Sequence, residues 1–97
     1  MSFIIPVKRL RETATLVAFF HPKPAYPFHV LVVPRQPVAS LMDLPPQSGD
    51  FLGDLLETVK SLVHEYHLEG GYRLLANGGD YQEFPILHFH LVAGDKP

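Results

Sequence analysis

The feature that most constrains the fold is an amphipathic segment from residue 48 to residue 68. Its apolar side chains recur at steps of one, three or four and form a single stripe, made of Phe51, Leu52, Leu55, Leu56, Val59, Leu62, Val63 and Tyr66. Ser48 or Asp50 can cap the start of the helix, and Gly70 and Gly71 supply a left-handed exit. A helix with one apolar stripe has to pack against another layer of structure.

The rest of the chain supplies that layer as short β-strands. Four segments are rich in β-branched and aromatic residues, and they cover residues 13–20, 28–34, 72–77 and 86–93. The first two predict an antiparallel hairpin joined by the stiff proline-rich loop "HPKPAYP" (21–27), and "NGGD" (77–80) predicts a turn. One long helix among mostly antiparallel strands predicts a single α+β domain over residues 1–97, with the helix across one face of the sheet.

Composition narrows the possible partners. The net charge is −2, which argues against nucleic acid or an anionic membrane surface, because both require a basic face. The chain contains no cysteine, which excludes disulfides and thiolate zinc sites, and its apolar runs are too short to span a bilayer. We therefore expect a soluble, cytoplasmic protein. With 97 residues it has little core to spare, which favours a homodimer.

The stretch "ILHFHLVA" (86–93) contains two histidines inside an apolar run. Side chains alternate along a strand, so His88 and His90 share one face, roughly 6.6 Å apart, while Leu87, Phe89, Leu91 and Ala93 pack under the helix on the other. Two desolvated imidazoles on one face need a chemical explanation, because burial of an unpaired polar ring is costly.

Three interpretations fit this pair. The histidines are idle and half-buried, or they bind a metal ion with a third ligand from His29, His21 or Glu83. In the third interpretation a neutral imidazole, held in one tautomer, attacks phosphorus and forms a covalent intermediate. The spacing alone does not separate the last two.

The surroundings of the pair resemble the signature region of the histidine triad (HIT) family. The similar stretches are "IPVK" (5–8), "VAFFHPKPAYPFHVLVVPR" (17–35), "GYRLLANGGD" (71–80) and "QEFPILHFHLVAG" (82–94). In that family three histidines alternate with apolar residues on the last core strand, and a glutamine lies four residues before the first. The resemblance covers nearly the whole chain and implies the HIT-like α+β fold and a homodimer.

The resemblance also implies roles for individual residues. His88 corresponds to the nucleophile that attacks the α-phosphate of a nucleotide, His90 and Gln82 bind phosphate oxygens, and His29 supports the imidazoles. The positions that correspond to the nucleotide pocket are Phe19, His21, Pro22, Leu31, Asn77 and Glu83. No metal ion or other cofactor is required.

Three positions depart from the family pattern. Ile86 replaces the first histidine and cannot make its supporting side-chain hydrogen bonds. His21 replaces an aspartate that binds ribose, and Glu83 replaces a hydroxyl residue that often protonates the leaving group. We therefore expect a divergent member of the family.

The expected function is a HIT-type hydrolase or transferase. It acts on a nucleoside phosphoramidate or a dinucleotide through a nucleotidyl-histidine intermediate. The alternatives are a catalytically weak nucleotide-binding or sensor protein, and a small metal-binding protein that uses His88, His90 and His29.

Overall fold

The computed structural model describes residues 8–94, so residues 5–7 of the "IPVK" segment lie outside the described part of the chain. It contains a five-stranded sheet in the order β1-β2-β3-β5-β4, in which neighbouring strands are antiparallel. The elements are β1 (Arg9–Glu12), β2 (Leu16–Phe20), β3 (Phe28–Pro34), α1 (Gly49–Glu65), β4 (Arg73–Leu75) and β5 (Phe89–Ala93). The predicted α+β arrangement and the hairpin of β2 with β3 are confirmed. No helix within residues 8–94 is long and apolar enough to cross a membrane.

Helix α1 packs across one face of this sheet. The main core joins the apolar stripe of the helix to inward-facing residues of three strands and the segment before β5: Leu16, Ala18, Val30, Val32, Leu87, Phe89 and Leu91 face Phe51, Leu55, Val59, Leu62 and Val63. Full burial of one such side chain is worth about 1.5–3 kcal/mol, so this interface holds the two layers together. The predicted division of the last strand into two faces is confirmed, because Leu87, Phe89 and Leu91 all lie on the helix side.

The first predicted strand is divided by a turn. Strand β2 begins at Leu16 instead of residue 13, because the Thr13 hydroxyl accepts hydrogen bonds from the backbone N–H groups of Thr15 and Leu16, each at 3.1 Å. Such local side-chain bonds favour a turn over an extended strand. The chain before the turn forms the edge strand β1, which the sequence pattern did not indicate as a separate strand.

Strand β5 also begins later than predicted, at Phe89. The backbone N–H of Leu87 donates to the carbonyl of Val38 at 2.8 Å, so the segment before β5 is bonded to the connection after β3. His88 consequently lies just before the sheet ladder, while His90 lies within it.

The ends of α1 agree only in part with the prediction. Ser48 is the N-cap residue, but its side chain makes no capping hydrogen bond. The left-handed exit predicted for the glycines at 70–71 is wrong, because His67 takes that conformation with φ of 57°. The N–H of Leu68 then bonds the carbonyl of Val63 at 2.8 Å, which closes the last turn.

We predict that His67→Gly stabilises the protein by about 0.5–1 kcal/mol, because glycine adopts a positive φ without steric cost. The matched control is His64→Gly, a change in the last turn of α1 at a side chain that is 90% exposed. That control should destabilise by a similar amount, about 0.5–1 kcal/mol. Urea unfolding midpoints measure both changes, and equal effects of the two substitutions would refute the assignment of His67 as the helix-terminating residue.

Candidate active site

The sheet face opposite α1 carries the candidate site. Phe19 pairs with Leu31 across β2 and β3, and Leu31 pairs with His90 across β3 and β5. Paired residues point to the same side of a sheet, so these three form a row across the strands. His29 lies in the next row, and the N–H of His21 donates to its carbonyl at 2.8 Å.

Four histidines form one continuous cluster on this face. The ring centroids are 4.5 Å apart for His21 and His29, 5.1 Å for His29 and His90, and 4.9 Å for His88 and His90. They come from the end of β2, from β3, from β5 and from the segment just before β5. The structure thus brings together all four of the histidines that the sequence singled out for the site.

The hydrogen bonds of His29 and His90 determine where their protons lie. The backbone N–H of Ala25 donates to Nδ1 of His29 at 3.1 Å, so a neutral His29 carries its proton on Nε2. That nitrogen lies 2.9 Å from Nδ1 of His90 and therefore donates to it. Neutral His90 must then carry its own proton on Nε2.

The protonated nitrogen of His90 has no partner. Its Nε2 is shielded from solvent and makes no hydrogen bond with any described residue. Burial, with added repulsion from His88, His29 and His21, lowers the pKa of His90 to about 4. The pKa of His29 is also lowered, by burial and by His21. Both rings are therefore neutral near pH 7, and His90 presents an unpaired N–H donor, which costs about 1–3 kcal/mol.

His88 carries its proton on the other side of the ring. Its Nδ1 lies 2.8 Å from the backbone carbonyl of Ile86, which can only accept, so Nδ1 is the donor. Nε2 of neutral His88 then holds a free lone pair. The Ile86 side chain cannot form the hydrogen bonds of a histidine, but its main chain fixes the tautomer of His88.

Gln82 is engaged with the backbone. Its Nε2 donates to the carbonyls of Ala39 at 2.7 Å and Phe84 at 3.0 Å, so both amide hydrogens are used. This arrangement ties the segment before His88 to the connection after β3. The side chain therefore has no amide hydrogen left for a phosphate oxygen, although the family resemblance implies that Gln82 binds one.

The other residues expected at the pocket are less closely tied to the imidazoles. Phe19 is buried and packs with Leu31, which is half-buried. Pro22 and Glu83 are exposed and Asn77 is half-buried. The backbone N–H of Lys23 donates to Nδ1 of His21 at 2.9 Å, and the hydrogen bonds of the four imidazoles involve none of these pocket side chains.

Two aromatic residues and two backbone amides were missed by the sequence reasoning. The Tyr26 ring lies edge-on to His29 at 5.8 Å, and Phe84, which is 52% exposed, lies edge-on to His88 at 6.3 Å. The position of Phe84 in "QEFPILH", close before His88, could have drawn attention to it. The amides of Lys23 and Ala25 carry no signal in a side-chain pattern.

The metal-binding alternative has no support in this geometry. Nε2 of His29 is hydrogen-bonded to Nδ1 of His90, so these two rings and His88 do not offer three free lone pairs to one ion. Among residues 8–94 no group of three histidine, cysteine or acidic side chains is arranged to hold a metal.

Comparisons with known proteins agree with this fold. The model of the HIT domain family matches residues 3–97. An uncharacterized HIT-like protein of Synechococcus elongatus is 37% identical over 92 residues, which cover 93% of this chain and 81% of the relative. The adenosine 5'-monophosphoramidase of Candida albicans is 36% identical over 91% of this chain and 62% of its own.

A solved structure gives the same result for the fold. The HIT family hydrolase from Legionella pneumophila superposes with a TM-score of 0.86 and 30% identity, over 95% of this chain and 85% of that one. The family match over nearly the whole length, together with these relatives, shows that this chain belongs to the histidine triad (HIT) family.

Proposed function

We propose that the chain is a HIT-type hydrolase that acts on the α-phosphate of a nucleoside phosphoramidate or dinucleotide. The observation that best supports this proposal is that His88 and His90, two neighbouring rings, are held in different tautomers. Nε2 of His88 holds a lone pair, while Nε2 of His90 holds a hydrogen, and the ring centroids are 4.9 Å apart. A nucleophile beside an unpaired donor suits a phosphoryl group, which needs attack at phosphorus and hydrogen bonds at its oxygens.

In the first step the lone pair of His88 Nε2 attacks the α-phosphorus. The bond from phosphorus to the leaving group breaks, and the leaving amine or phosphate takes its electron pair and, where it needs one, a proton from solvent. His90 donates its Nε2 hydrogen to a non-bridging oxygen. This bond satisfies the donor that is unpaired in the free protein, so the interaction gains strength as charge builds on that oxygen.

The carbonyl of Ile86 stabilises the intermediate. Once Nε2 of His88 is bonded to phosphorus, the ring retains its hydrogen on Nδ1 and becomes positively charged. The bond from Nδ1 to the Ile86 carbonyl, 2.8 Å in the free protein, then becomes charge-assisted. In the second step water attacks phosphorus, the bond between phosphorus and nitrogen breaks, and the electron pair returns to His88 as a proton passes to solvent.

The nucleoside is proposed to lie over the row formed by Phe19 and Leu31, beside His21. Pro22, Asn77 and Glu83 would form its outer boundary. The name of the Candida albicans relative, an adenosine 5'-monophosphoramidase, supports an adenosine phosphoramidate as the first substrate to try. Gln82 acts here as a support of the loop before His88, because its amide hydrogens are already used.

A nucleotide-binding or sensor protein without turnover is the second candidate. It is favoured by Ile86, whose side chain cannot exchange protons with the leaving group or the imidazoles. Binding of AMP to the wild-type protein, measured by calorimetry, with no release of ammonia from adenosine phosphoramidate would support this candidate over the hydrolase.

Turnover should depend on the imidazole of His88. His88→Ala should lower kcat for adenosine phosphoramidate at least about a thousandfold, because the nucleophile is lost and no other lone pair takes its place. His64→Ala, an exposed histidine on α1, is the matched control and should retain wild-type activity. Turnover that survives His88→Ala would eliminate the proposed mechanism.

The folded protein should lose stability in acid. Unfolded chains protonate His90 near its ordinary pKa of 6.5, whereas the folded protein does so only near 4, so the folded state loses stability as the pH falls through this window. His90 alone should contribute roughly 1 kcal/mol of the loss between pH 7 and pH 5, because solvent screens this partly buried ring. Urea unfolding at both values measures the difference.

Two variants separate His90 from the other titrating groups. His90→Gln should reduce the loss by that amount, and His64→Gln should leave it unchanged. An identical pH dependence in the wild type and His90→Gln would contradict the neutral, buried state of this ring.

We also propose that the protein is a homodimer formed at the β4 edge. Strand β4 is the last strand of the sheet, and Leu74 on it is 41% exposed. Tyr72 beside it and Leu52 and Leu56 on α1 are 48%, 48% and 59% exposed. An unpaired strand edge together with exposed apolar side chains is a natural surface for a second copy of the chain.

Light scattering after size exclusion tests this assembly. The wild type should give twice the chain mass of 10.9 kDa. Leu74→Glu should shift the equilibrium toward monomer by more than about tenfold, because the substitution buries a charge in the dimer interface. Met42→Glu, at a residue that is 89% exposed and far from β4 in sequence, is the control. A monomeric wild type, or a dimer indifferent to Leu74→Glu, would exclude this interface.

A further inference from the structure

The proline-rich loop at 21–27 directs its backbone amides at the histidines. Three of its residues are prolines and have no N–H. Of the four N–H groups that remain, that of His21 donates to the His29 carbonyl at 2.8 Å. The N–H of Lys23 donates to Nδ1 of His21 at 2.9 Å, and that of Ala25 donates to Nδ1 of His29 at 3.1 Å. Most of the loop's donors therefore end on two histidines.

The prolines make these contacts persistent. Pro22 and Pro24 alternate with Lys23 and Ala25, and each proline fixes its own φ near −65° and restricts the residue before it. The backbone around the two donors thus has few alternative conformations. Nδ1 of His29 faces an N–H that cannot turn away without movement of the loop.

We propose that the backbone N–H of Ala25 is a positioning group that sets the tautomers of two imidazoles in series. It keeps the proton of His29 on Nε2, and His29 in turn keeps the proton of His90 on Nε2. Nε2 of His90, the ring nitrogen without a protein partner, is thereby a permanent hydrogen-bond donor, and it suits a ligand atom that accepts, such as a phosphoryl oxygen. The consequence for the ligand rests on the function proposed above, but the tautomers themselves do not.

The two rings could also hold their protons in the reverse arrangement, on Nδ1 instead of Nε2. Without the Ala25 donor, His29 can hold its proton on Nδ1 and accept at Nε2 from Nδ1–H of His90, and the bond between the two rings survives. Nε2 of His90 then carries a lone pair, as does Nε2 of His88. Two lone pairs would face the phosphoryl oxygens, and no donor would remain between them. The hydrogen bond between His29 and His90 forms in both arrangements. The Ala25 amide therefore determines which arrangement is populated, and it favours the one in which Nε2 of His90 is a donor.

Nitrogen-15 NMR of the imidazoles in the ligand-free protein tests the proposal. Protonated and unprotonated ring nitrogens differ widely in chemical shift, so each tautomer is read directly at pH 7.5. In the wild type we expect the proton on Nε2 of His29 and His90 and on Nδ1 of His88. Ala25→Pro removes the N–H and also fixes φ at residue 25. It should move the tautomer ratios of His29 and His90 about fivefold toward Nδ1, which is the effect of one lost neutral hydrogen bond.

Matched controls are available in the same chain. Ala25→Gly retains the N–H and should leave both ratios unchanged. His88, held by the Ile86 carbonyl, and His21, held by the Lys23 amide, should keep their tautomers in every variant and report that the site is intact. A structural disturbance of the loop would also change the tautomer ratio of His21, which the loop holds through the Lys23 amide.

Two results would overturn the proposal. One is a wild-type His90 with its proton on Nδ1, which is decisive even if Ala25→Pro fails to fold. The other is a folded Ala25→Pro variant whose His29 and His90 ratios match those of the wild type. Both measurements use free protein, so a failure to hydrolyse phosphoramidates leaves them unaffected, and an incorrect tautomer leaves open a nucleophilic role for His88.

Discussion

The hydrogen bond between Nε2 of His29 and Nδ1 of His90, 2.9 Å long, is the interaction on which the site depends. It requires that one of the two facing nitrogens stays unprotonated, because two N–H groups cannot bond to each other. It also requires the pairing of β3 with β5, which sets the two residues on the same face in adjacent rows. The helix holds that pairing in place by covering the other face of the sheet, so the core and the site are parts of one arrangement.

Two identical side chains take opposite roles because their surroundings differ. His88 donates from Nδ1 to a main-chain carbonyl and keeps a lone pair at Nε2, whereas His90 accepts at Nδ1 from another ring and keeps a hydrogen at Nε2. Two neighbouring neutral imidazoles held in different tautomers offer one acceptor and one donor at the same site. No carboxylate is needed to hold the two rings in these different tautomers. This suits a site that binds a phosphate, because a carboxylate beside the imidazoles would repel the phosphate.

Much of the fold could be predicted from the sequence because it depends on side-chain period. The apolar stripe on α1 and the alternation of side chains along β5 determine which residues are buried. The packing of the helix on the sheet and the two faces of the last strand could therefore be predicted from these patterns. The starts of β2 and β5 could not, because they depend on two hydrogen bonds that the Thr13 hydroxyl accepts and on one that the Val38 carbonyl accepts. The exit of α1 at His67 was also missed, since a non-glycine residue in the left-handed region has a weak sequence signal.

The candidate site, like the fold, could be predicted from the sequence only in part. Its histidines were found from their spacing and from the family pattern, and the structure brings them together. Their tautomers were not accessible, because main-chain groups of Ala25, Lys23 and Ile86 determine them and any residue except proline could provide the two amides. The engagement of Gln82 with two carbonyls was hidden for the same reason. Side-chain patterns report which chemistry is present, and the backbone determines its state.

The most direct test of the account is to identify the atom that becomes covalently bonded to phosphorus. Adenosine phosphoramidate would be mixed with the protein, the reaction quenched in alkali within milliseconds to seconds, and the adduct located by peptide mass mapping. We expect an adenylyl group on His88 alone, formed and lost at rates compatible with turnover. An adduct on His90, His29 or His21, or turnover with no adduct at any time, would contradict it.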